Sequence, residues 1–404
     1  MTSTTDLIYD WNVEAGRFVP AQPIQLDDET LRDGLQSPSA LDPSIDAKIE
    51  LLELMDRLGI DTADIGLPGA GGKPCEDILL LAKHVADAKL GIGLNVACRT
   101  VVSDIAPVIE ISQRAGIPIE VCTFIGSSTI RQYTEDWEVS TLLDHTRVAL
   151  EFARDNSLPV MYVTEDTSRA DPETVRALYG LAIELGARRL CVCDTVGHST
   201  PQGAHAVVAF VKRLADELGS DVGIDWHGHR DRGMDLANCL AAIEGGATRI
   251  HGTALGVGER AGNTPMDLLL VNLRLMGWLE NDLSCLPDYV RKAAAAIGIP
   301  FPDNYPVLGK DAFETGTGVH ASAVVKALRK GDRELADQVY SGVPASMVGR
   351  EQIIGVGPMS GRSNVMFSLE RLGLPVDDET VQRVLACAKV SKRLLTDDEI
   401  RAAV

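Results

Sequence analysis

A repeated alternation constrains this chain more than any other feature. From about residue 22 to about residue 280, short apolar runs rich in β-branched residues alternate with longer stretches of helical periodicity. The strand candidates are 24–27, 62–66, 91–96, 119–124, 160–163, 190–193, 223–226 and 249–253. The helix candidates between and after them are 43–58, 75–88, 102–115, 140–156, 172–185, 201–218, 234–245 and 265–276. The first helix is expected to begin after Asp42 as N-cap, with Pro43 at its first position. Its residues Ile45, Ile49, Leu52 and Met55 share one face, and Gly59 ends it.

Eight strand–helix units in about 250 residues are what a (β/α)₈ barrel needs. An open doubly wound sheet is the competing architecture. It usually has fewer units and a glycine-rich fingerprint after its first strand. Here that position reads Glu29-Thr30-Leu31-Arg32-Asp33-Gly34, which is no dinucleotide loop. The expected fold class is therefore α/β, a TIM barrel over residues 1–280 followed by a smaller, mainly helical subdomain over 281–404. The second region is loop-rich over 299–318 and 342–364, with helical patterns at 321–329, 365–372 and 378–390.

Composition narrows the function classes. The chain has 404 residues, 38 basic and 58 acidic, for a formal charge of −20. That balance argues against a nucleic-acid partner, because phosphate neutralisation needs clustered Lys and Arg. No apolar run is long enough to cross a bilayer, and residues 1–22 lack a signal-peptide pattern. The expected location is cytoplasmic, with no membrane partner. The eight cysteines are scattered and read as reduced thiols.

In a TIM barrel, catalytic residues lie at the C-terminal ends of the strands. Reactive residues cluster there in this chain. The first strand is followed by Glu29, Arg32 and Asp33, and the fifth by Glu165, Asp166 and Arg169. The sixth leads to Asp194 and Thr195, the seventh to His227, His229, Arg230 and Asp231, and the eighth to Glu259, Arg260 and Asn263. His227-Gly228-His229 is the best metal signal. Residues i and i+2 of an extended chain point to one side, so two imidazoles can reach one ion. Oxygen ligands from other strand ends would complete a shell suited to Mg²⁺, Mn²⁺ or Zn²⁺. Two surface histidines near a strand end are the plain alternative. Cys191 and Cys193 sit inside an apolar strand and read as small core residues. His84, His145, His198, His205 and His251 lack metal-type spacing and read as structural.

Taken together, Leu31-Arg32-Asp33-Gly34-Leu35-Gln36, His227-Gly228-His229 and the run from Gly256 to Asn263 resemble a known family. It comprises the metal-dependent acyl-CoA Claisen-condensing enzymes, the 2-isopropylmalate, homocitrate and citramalate synthases, and their relative 3-hydroxy-3-methylglutaryl-CoA lyase. The segments Thr164 to Arg169 and Asp194 to Gly197 agree. Beyond the barrel, Pro306 to Phe313, Gly318-Val319-His320 and Ser360-Gly361-Arg362 resemble the subdomain of the synthases. The lyases carry a cysteine in the lid loop, where this chain has Gly256-Val257-Gly258-Glu259-Arg260.

The resemblance implies an acyltransferase that condenses acetyl-CoA with a 2-oxo acid and releases CoA. It implies a divalent ion on Asp33, His227, His229 and Asn263. Arg32 would stabilise the developing alkoxide, and Thr195, with Asp64 and Arg169, would bind the substrate. His320, aided by Tyr340 and Glu165, would deprotonate acetyl-CoA. In this family the region holding His320 serves a partner's active site, so a homodimer is expected. No separate leucine-sensing domain, and hence no feedback through one, is expected. Three residues depart from the family pattern: Asp64 stands in place of Glu, Arg230 in place of Asn, and Cys122 where one branch has His. The last two are expected near the substrate pocket. A lyase on the same site, or a non-catalytic barrel sensing an acyl-CoA or 2-oxo acid, are the alternative readings.

Overall fold

Eight parallel strands close on themselves in chain order. They are β1 (Gln25–Asp28), β2 (Thr62–Asp64), β3 (Gly93–Arg99), β4 (Ile119–Gly126), β5 (Val160–Glu165), β6 (Arg189–Asp194), β7 (Gly223–Gly228) and β8 (Arg249–Gly252). The ring is sealed where Gln25, Leu26, Asp27 and Asp28 of β1 pair with Arg249, Ile250, His251 and Gly252 of β8. This is the TIM barrel expected from the alternation, seen in a computed structural model that describes residues 7–14, 16 and 18–404. No described helix is long and apolar enough to cross a membrane. The eight cysteines are free thiols.

The strands are buried on both faces, and the period of two sorts their side chains. One set packs outward against the helices. Leu26, Ala63, Val121, Tyr162, Leu190, Trp226 and Ile250 are almost wholly buried there. The other set fills the barrel. Near its N-terminal end this interior is charged: Asp225 accepts from Arg189 and Arg249, and Arg249 also reaches Glu120 at 2.7 Å. Nearer the C-terminal end the interior opens into the cavity described below.

Each strand is followed by a helix whose apolar stripe covers it. In Ile45–Arg57 the stripe is Leu51, Leu52 and Met55. The N-cap of this helix is Ser44, not Asp42, and its Oγ accepts from Ala47 N at 3.3 Å. A cap must be the last extended residue before the first helical one, and Asp42 lies two residues too early. Its carboxylate instead meets Lys48 and Lys73. Helix Val102–Ala115 has the bounds read from sequence, and the others differ by up to three residues. A short helix, Thr129–Glu135, follows β4 with Ser128 as its cap and was not legible in the periodicity.

The chain divides into two compact units. One holds residues 18–282 together with 288–300. Residues 288–300, read from sequence as part of the second region, thus group with the barrel: buried Tyr289 donates to Asp28, the last residue of β1, and Leu41 N donates to Ile297 O at 2.9 Å. The second unit holds residues 283–287 and 301–404, with residues 7–14 and 16 assigned to it. It contains helices Gly318–Arg329, Arg333–Gln338, Arg362–Arg371, Asp378–Val390 and Asp397–Ala402, and a two-stranded parallel pair, Glu314–Thr315 with Ile353–Ile354. Its two apolar clusters centre on Val324 and Ala336, and on Leu369 and Val384. The motifs around Gly318 and Gly361 pack backbone to backbone, since a Cβ on Gly318 would lie 2.8 Å from Gly361 N.

Candidate active site

The turn after β1 builds the first wall of the cavity. Glu29 O accepts from Arg32 N at 3.1 Å and from Gly34 N at 3.0 Å, which folds the chain back and presents Arg32 and Asp33. Thr30 Oγ1 accepts from Ala254 N at 2.8 Å and ties this turn to the end of β8. At the end of β7, Gly228 separates two histidines because a Cβ there would lie 2.9 Å from Trp226 Nε1. His227 and His229 then face the same side, as their spacing predicts. The Nε2 atoms of both lie 3.5 Å from Asp33 Oδ2.

The loop after β8 supplies the fourth group. Asn263 N donates to Gly256 O at 3.0 Å, and Asn263 pairs with His229 in an isolated bridge. Gly258 is required by proximity: its Cβ would lie 1.8 Å from Asn263 Oδ1. Asn263 Nδ2 donates to Asp33 Oδ2 at 2.7 Å. Its Oδ1 is buried with no hydrogen-bond partner among the described residues.

These four residues fit a divalent cation. One nitrogen or carboxylate oxygen from each of Asp33, His227 and His229 lies within 4.8 Å of the others. The partnerless Asn263 oxygen beside them is a buried acceptor of the kind a cation satisfies. Burial, reinforced by the neighbouring His227, brings His229 down to about 4, so its imidazole stays neutral and able to ligate.

Arg32 is the one guanidinium among the described residues that line the cavity. Its Nε donates to Asp64 at 2.8 Å, its Nη2 lies 2.8 Å from Glu29, and its Nη1 lies 3.6 Å from Asp33. Burial pushes Asp64 up to about 7 against the pull of Arg32. Glu29 goes the other way. Burial opposes its charge, but Arg32 and His227 hold it well below the usual carboxylate range. Glu29 joins the site to the barrel interior. Its two oxygens lie 2.9 Å from His227 Nδ1 and from His251 Nδ1, and His251 Nε2 reaches Asp225 at 2.9 Å. Burial opposes charge on His251 as well, yet the surrounding Asp27, Asp225 and Glu29 carboxylates raise it well above the ordinary imidazole value.

The structure brings Arg32, Asp33, Asp64, Glu165, Thr195, His227 and His229 to one cavity. Thr195 Oγ1 accepts from Asp166 N at 2.8 Å, and burial raises Glu165. Arg169, expected from the resemblance to bind substrate, is not in this cavity. Its guanidinium is held by Asp166 at 2.7 Å and 2.8 Å, which turns it to a neighbouring depression with Ile130 and Thr134. Arg230 also departs from expectation. It donates to Ala261 O at 2.8 Å and to Leu255 O at 3.3 Å, bracing the loop of Asn263 rather than lining the cavity. Cys122 does line it. His320 and Tyr340 belong to the second unit, where both are exposed and their rings stack at 4.2 Å.

Glu29 and His251 are the site groups that sequence reasoning left without a role. Glu29 was visible as a strand-end acid. Its partnership with His251 depends on the β1–β8 register, which no local pattern reveals.

The geometry agrees with what the chain is similar to. Residues 23–288 match the family model described as HMGL-like. The chain belongs to the HMGL-like family. Among relatives of this family, a homocitrate synthase from Pyrococcus horikoshii is 30% identical, over 92% of this chain and 96% of its own length. A (R)-citramalate synthase from Methanocaldococcus jannaschii is 29% identical, over 89% of this chain and 69% of its own. A 2-isopropylmalate synthase from Nitratidesulfovibrio vulgaris is 28% identical, over 97% of this chain and 74% of its own. The barrel also resembles the crystal structure of the HMG-CoA lyase of Bacillus subtilis, with a TM-score of 0.58 at 21% identity, covering 70% of this chain and 97% of that one. These relatives are named as synthases, while the lyase likeness concerns the fold.

Proposed function

We propose that this HMGL-like protein condenses acetyl-CoA with a 2-oxo acid, giving a 2-hydroxy-2-alkyl dicarboxylate and free CoA. The observation that carries the reading is the buried set of Asp33, His227, His229 and the partnerless oxygen of Asn263, with the Arg32 guanidinium beside it. Those four residues would hold a divalent ion, Mg²⁺, Mn²⁺ or Zn²⁺. Such an ion polarises the ketone of a 2-oxo acid as a Lewis acid.

The chain's own groups carry the remaining roles. Arg32, held by Asp64 and Glu29, is a fixed positive charge where the ketone oxygen becomes an alkoxide. The Thr195 oxygen accepts from Asp166 N, which leaves its hydroxyl hydrogen to donate to the substrate carboxylate. His320, with Tyr340 stacked on it, takes the proton from the acetyl-CoA methyl group. The resulting enolate carbon bonds to the ketone carbon, the carbonyl electrons move onto the oxygen, and that alkoxide takes up a proton from solvent to become the hydroxyl. Water then adds to the thioester, which splits into a carboxylate and CoA. In this reading the chain acts as a homodimer, with the region that holds His320 serving the active site of the partner subunit.

The test is CoA release from acetyl-CoA with a panel of 2-oxo acids, using Mg²⁺, Mn²⁺ and Zn²⁺ in turn. Release that needs both the acid and a divalent ion supports the proposal. Cleavage of a 3-hydroxyacyl-CoA without any acid-dependent CoA release would overturn it in favour of a lyase.

A further inference from the structure

The cavity has two chemically distinct arcs. The β7, β1 and β2 side is ionic and carries His227, His229, Asp33, Glu29, Arg32 and Asp64. Apart from Glu165 at the end of β5 and Thr195 just after β6, the β3 to β6 side is apolar and sulfur-rich. Ala97 comes from β3, Cys122 and Phe124 from β4, Met161 and Val163 from β5, and Cys191 from β6. These are alternate residues of their strands, so the period of two that buries them also aims them inward. Cys122, Met161 and Cys191 form one buried cluster, with Val163 packed against it. Burial raises the thiols of Cys122 and Cys191 well above their ordinary value, so both stay neutral and behave as small hydrophobes.

From this division, and resting on the condensing reading above, we infer that the 2-oxo acid is a monocarboxylate with an uncharged, apolar side chain. A 2-oxo acid that places its carboxylate and ketone on the ionic arc turns its remaining substituent to the apolar one. A second carboxylate there would meet sulfur and hydrocarbon. Among the described residues that line the cavity, Arg32 is the one guanidinium or ammonium group, and Asp64, Glu29 and Asp33 already surround it. His251, the buried imidazole beneath, is held between Glu29 and Asp225. Glu165 and Glu259, which also line the cavity, add negative charge. A buried carboxylate with no partner is strongly disfavoured, whereas each methylene fitted to an apolar wall favours its substrate by about 10- to 200-fold.

The experiment measures binding first and turnover second. The Mn²⁺-loaded full-length protein is titrated calorimetrically with pyruvate, 2-oxobutyrate, 3-methyl-2-oxobutyrate, 4-methyl-2-oxopentanoate, oxaloacetate and 2-oxoglutarate. The best monocarboxylate is expected to bind at least about 100-fold more tightly than either dicarboxylate, and kcat/KM for CoA release is expected to follow that order. Equal or tighter binding of oxaloacetate or 2-oxoglutarate overturns the inference. Selective monocarboxylate binding without CoA release from any acid would uphold this inference and defeat the condensing reading. Cys122→Leu fills the apolar arc, and its binding of 4-methyl-2-oxopentanoate is expected to fall by about 10-fold or more relative to pyruvate. Unchanged selectivity in folded Cys122→Leu counts against the placement of the side chain. If that variant does not fold, the wild-type titration still decides.

Discussion

Asn263 donates its amide to Asp33 at 2.7 Å, while its own carbonyl oxygen is buried without a partner among the described residues. The pair comes from opposite ends of the barrel sequence and is joined by the β1–β8 closure. A cation bound there would turn an unsatisfied acceptor into a ligand. Addition of Mn²⁺ is therefore expected to stabilise the protein against heat, by about 2.7 kcal/mol when the free ion is at a hundred times its Kd. Asp33→Ala is expected to lose that stabilisation, and Asn263→Ala to weaken it. Thermal melts with and without Mn²⁺ check this. An equal shift in wild type and Asp33→Ala would remove the site.

Glu29 braces His227 from behind. Its carboxylate touches His227, His251 and Arg32 at 2.8–2.9 Å. Such partners orient a metal-binding imidazole and raise its basicity. Glu29→Gln keeps the shape and removes the charge, so metal affinity and kcat are each expected to fall about 10- to 100-fold, with KM for acetyl-CoA little changed. A drop in thermal stability with metal affinity and kcat intact would reduce Glu29 to a packing role.

Two buried aspartates should tilt stability in opposite directions with pH. Burial pushes Asp28 up to about 6, above an unfolded value near 3.9. Between these values the folded protein keeps a proton that the unfolded chain has lost. Its contribution is thus complete below about pH 3.9 and is lost as pH rises through about 6. The loss is on the order of 3 kcal/mol, from about two units of displacement. Asp28→Asn should flatten this slope, as read by urea unfolding at pH 4.5 and 7.5. Identical slopes in both proteins would count against it.

Asp225 behaves in the reverse sense. Burial opposes its charge, but Arg249 and Arg189 hold it below the usual carboxylate range. Its contribution is present above about pH 3.9 and is lost as pH falls through its folded value. Asp225→Ala leaves Arg249 and His251 with a buried charge uncompensated and is expected to cost about 3–5 kcal/mol. A loss under about 1 kcal/mol in chemical unfolding would contradict the network.

The parts of this molecule that sequence reveals are those with a local period. The barrel strands and helices repeat at two and 3.6 residues, so their existence is readable before any contact is known. His227 and His229 are readable for the same reason, because i and i+2 share a side within one strand. Relations across the ring are not local. The Glu29–His251 contact and the apolar arc from Ala97 to Cys191 depend on which residues of different strands share a level. Arg169 and Arg230 show the converse. Both sit in motifs that fit a binding role, but Asp166 captures one and the backbone of residues 255 and 261 captures the other. An arginine's destination is set by acceptors that a linear pattern does not display.

His320 gives the sharpest separation between binding and chemistry. It lies on helix Gly318–Arg329 of the second unit, exposed, with Tyr340 stacked against its ring. None of Asp33, His227, His229 and Asn263 belongs to that unit. His320→Ala should therefore leave the Mn²⁺-induced thermal shift and 2-oxo acid binding intact. CoA release should fall by about 10²- to 10⁴-fold, the usual range for a lost general base. Tyr340→Phe keeps the stacked ring and drops the hydroxyl, so a smaller loss separates ring packing from hydrogen bonding. Exchange of acetyl-CoA methyl protons with solvent deuterium, followed by NMR, reads the proton step without the later ones. Wild-type rates of exchange and release in His320→Ala would take the residue out of the reaction.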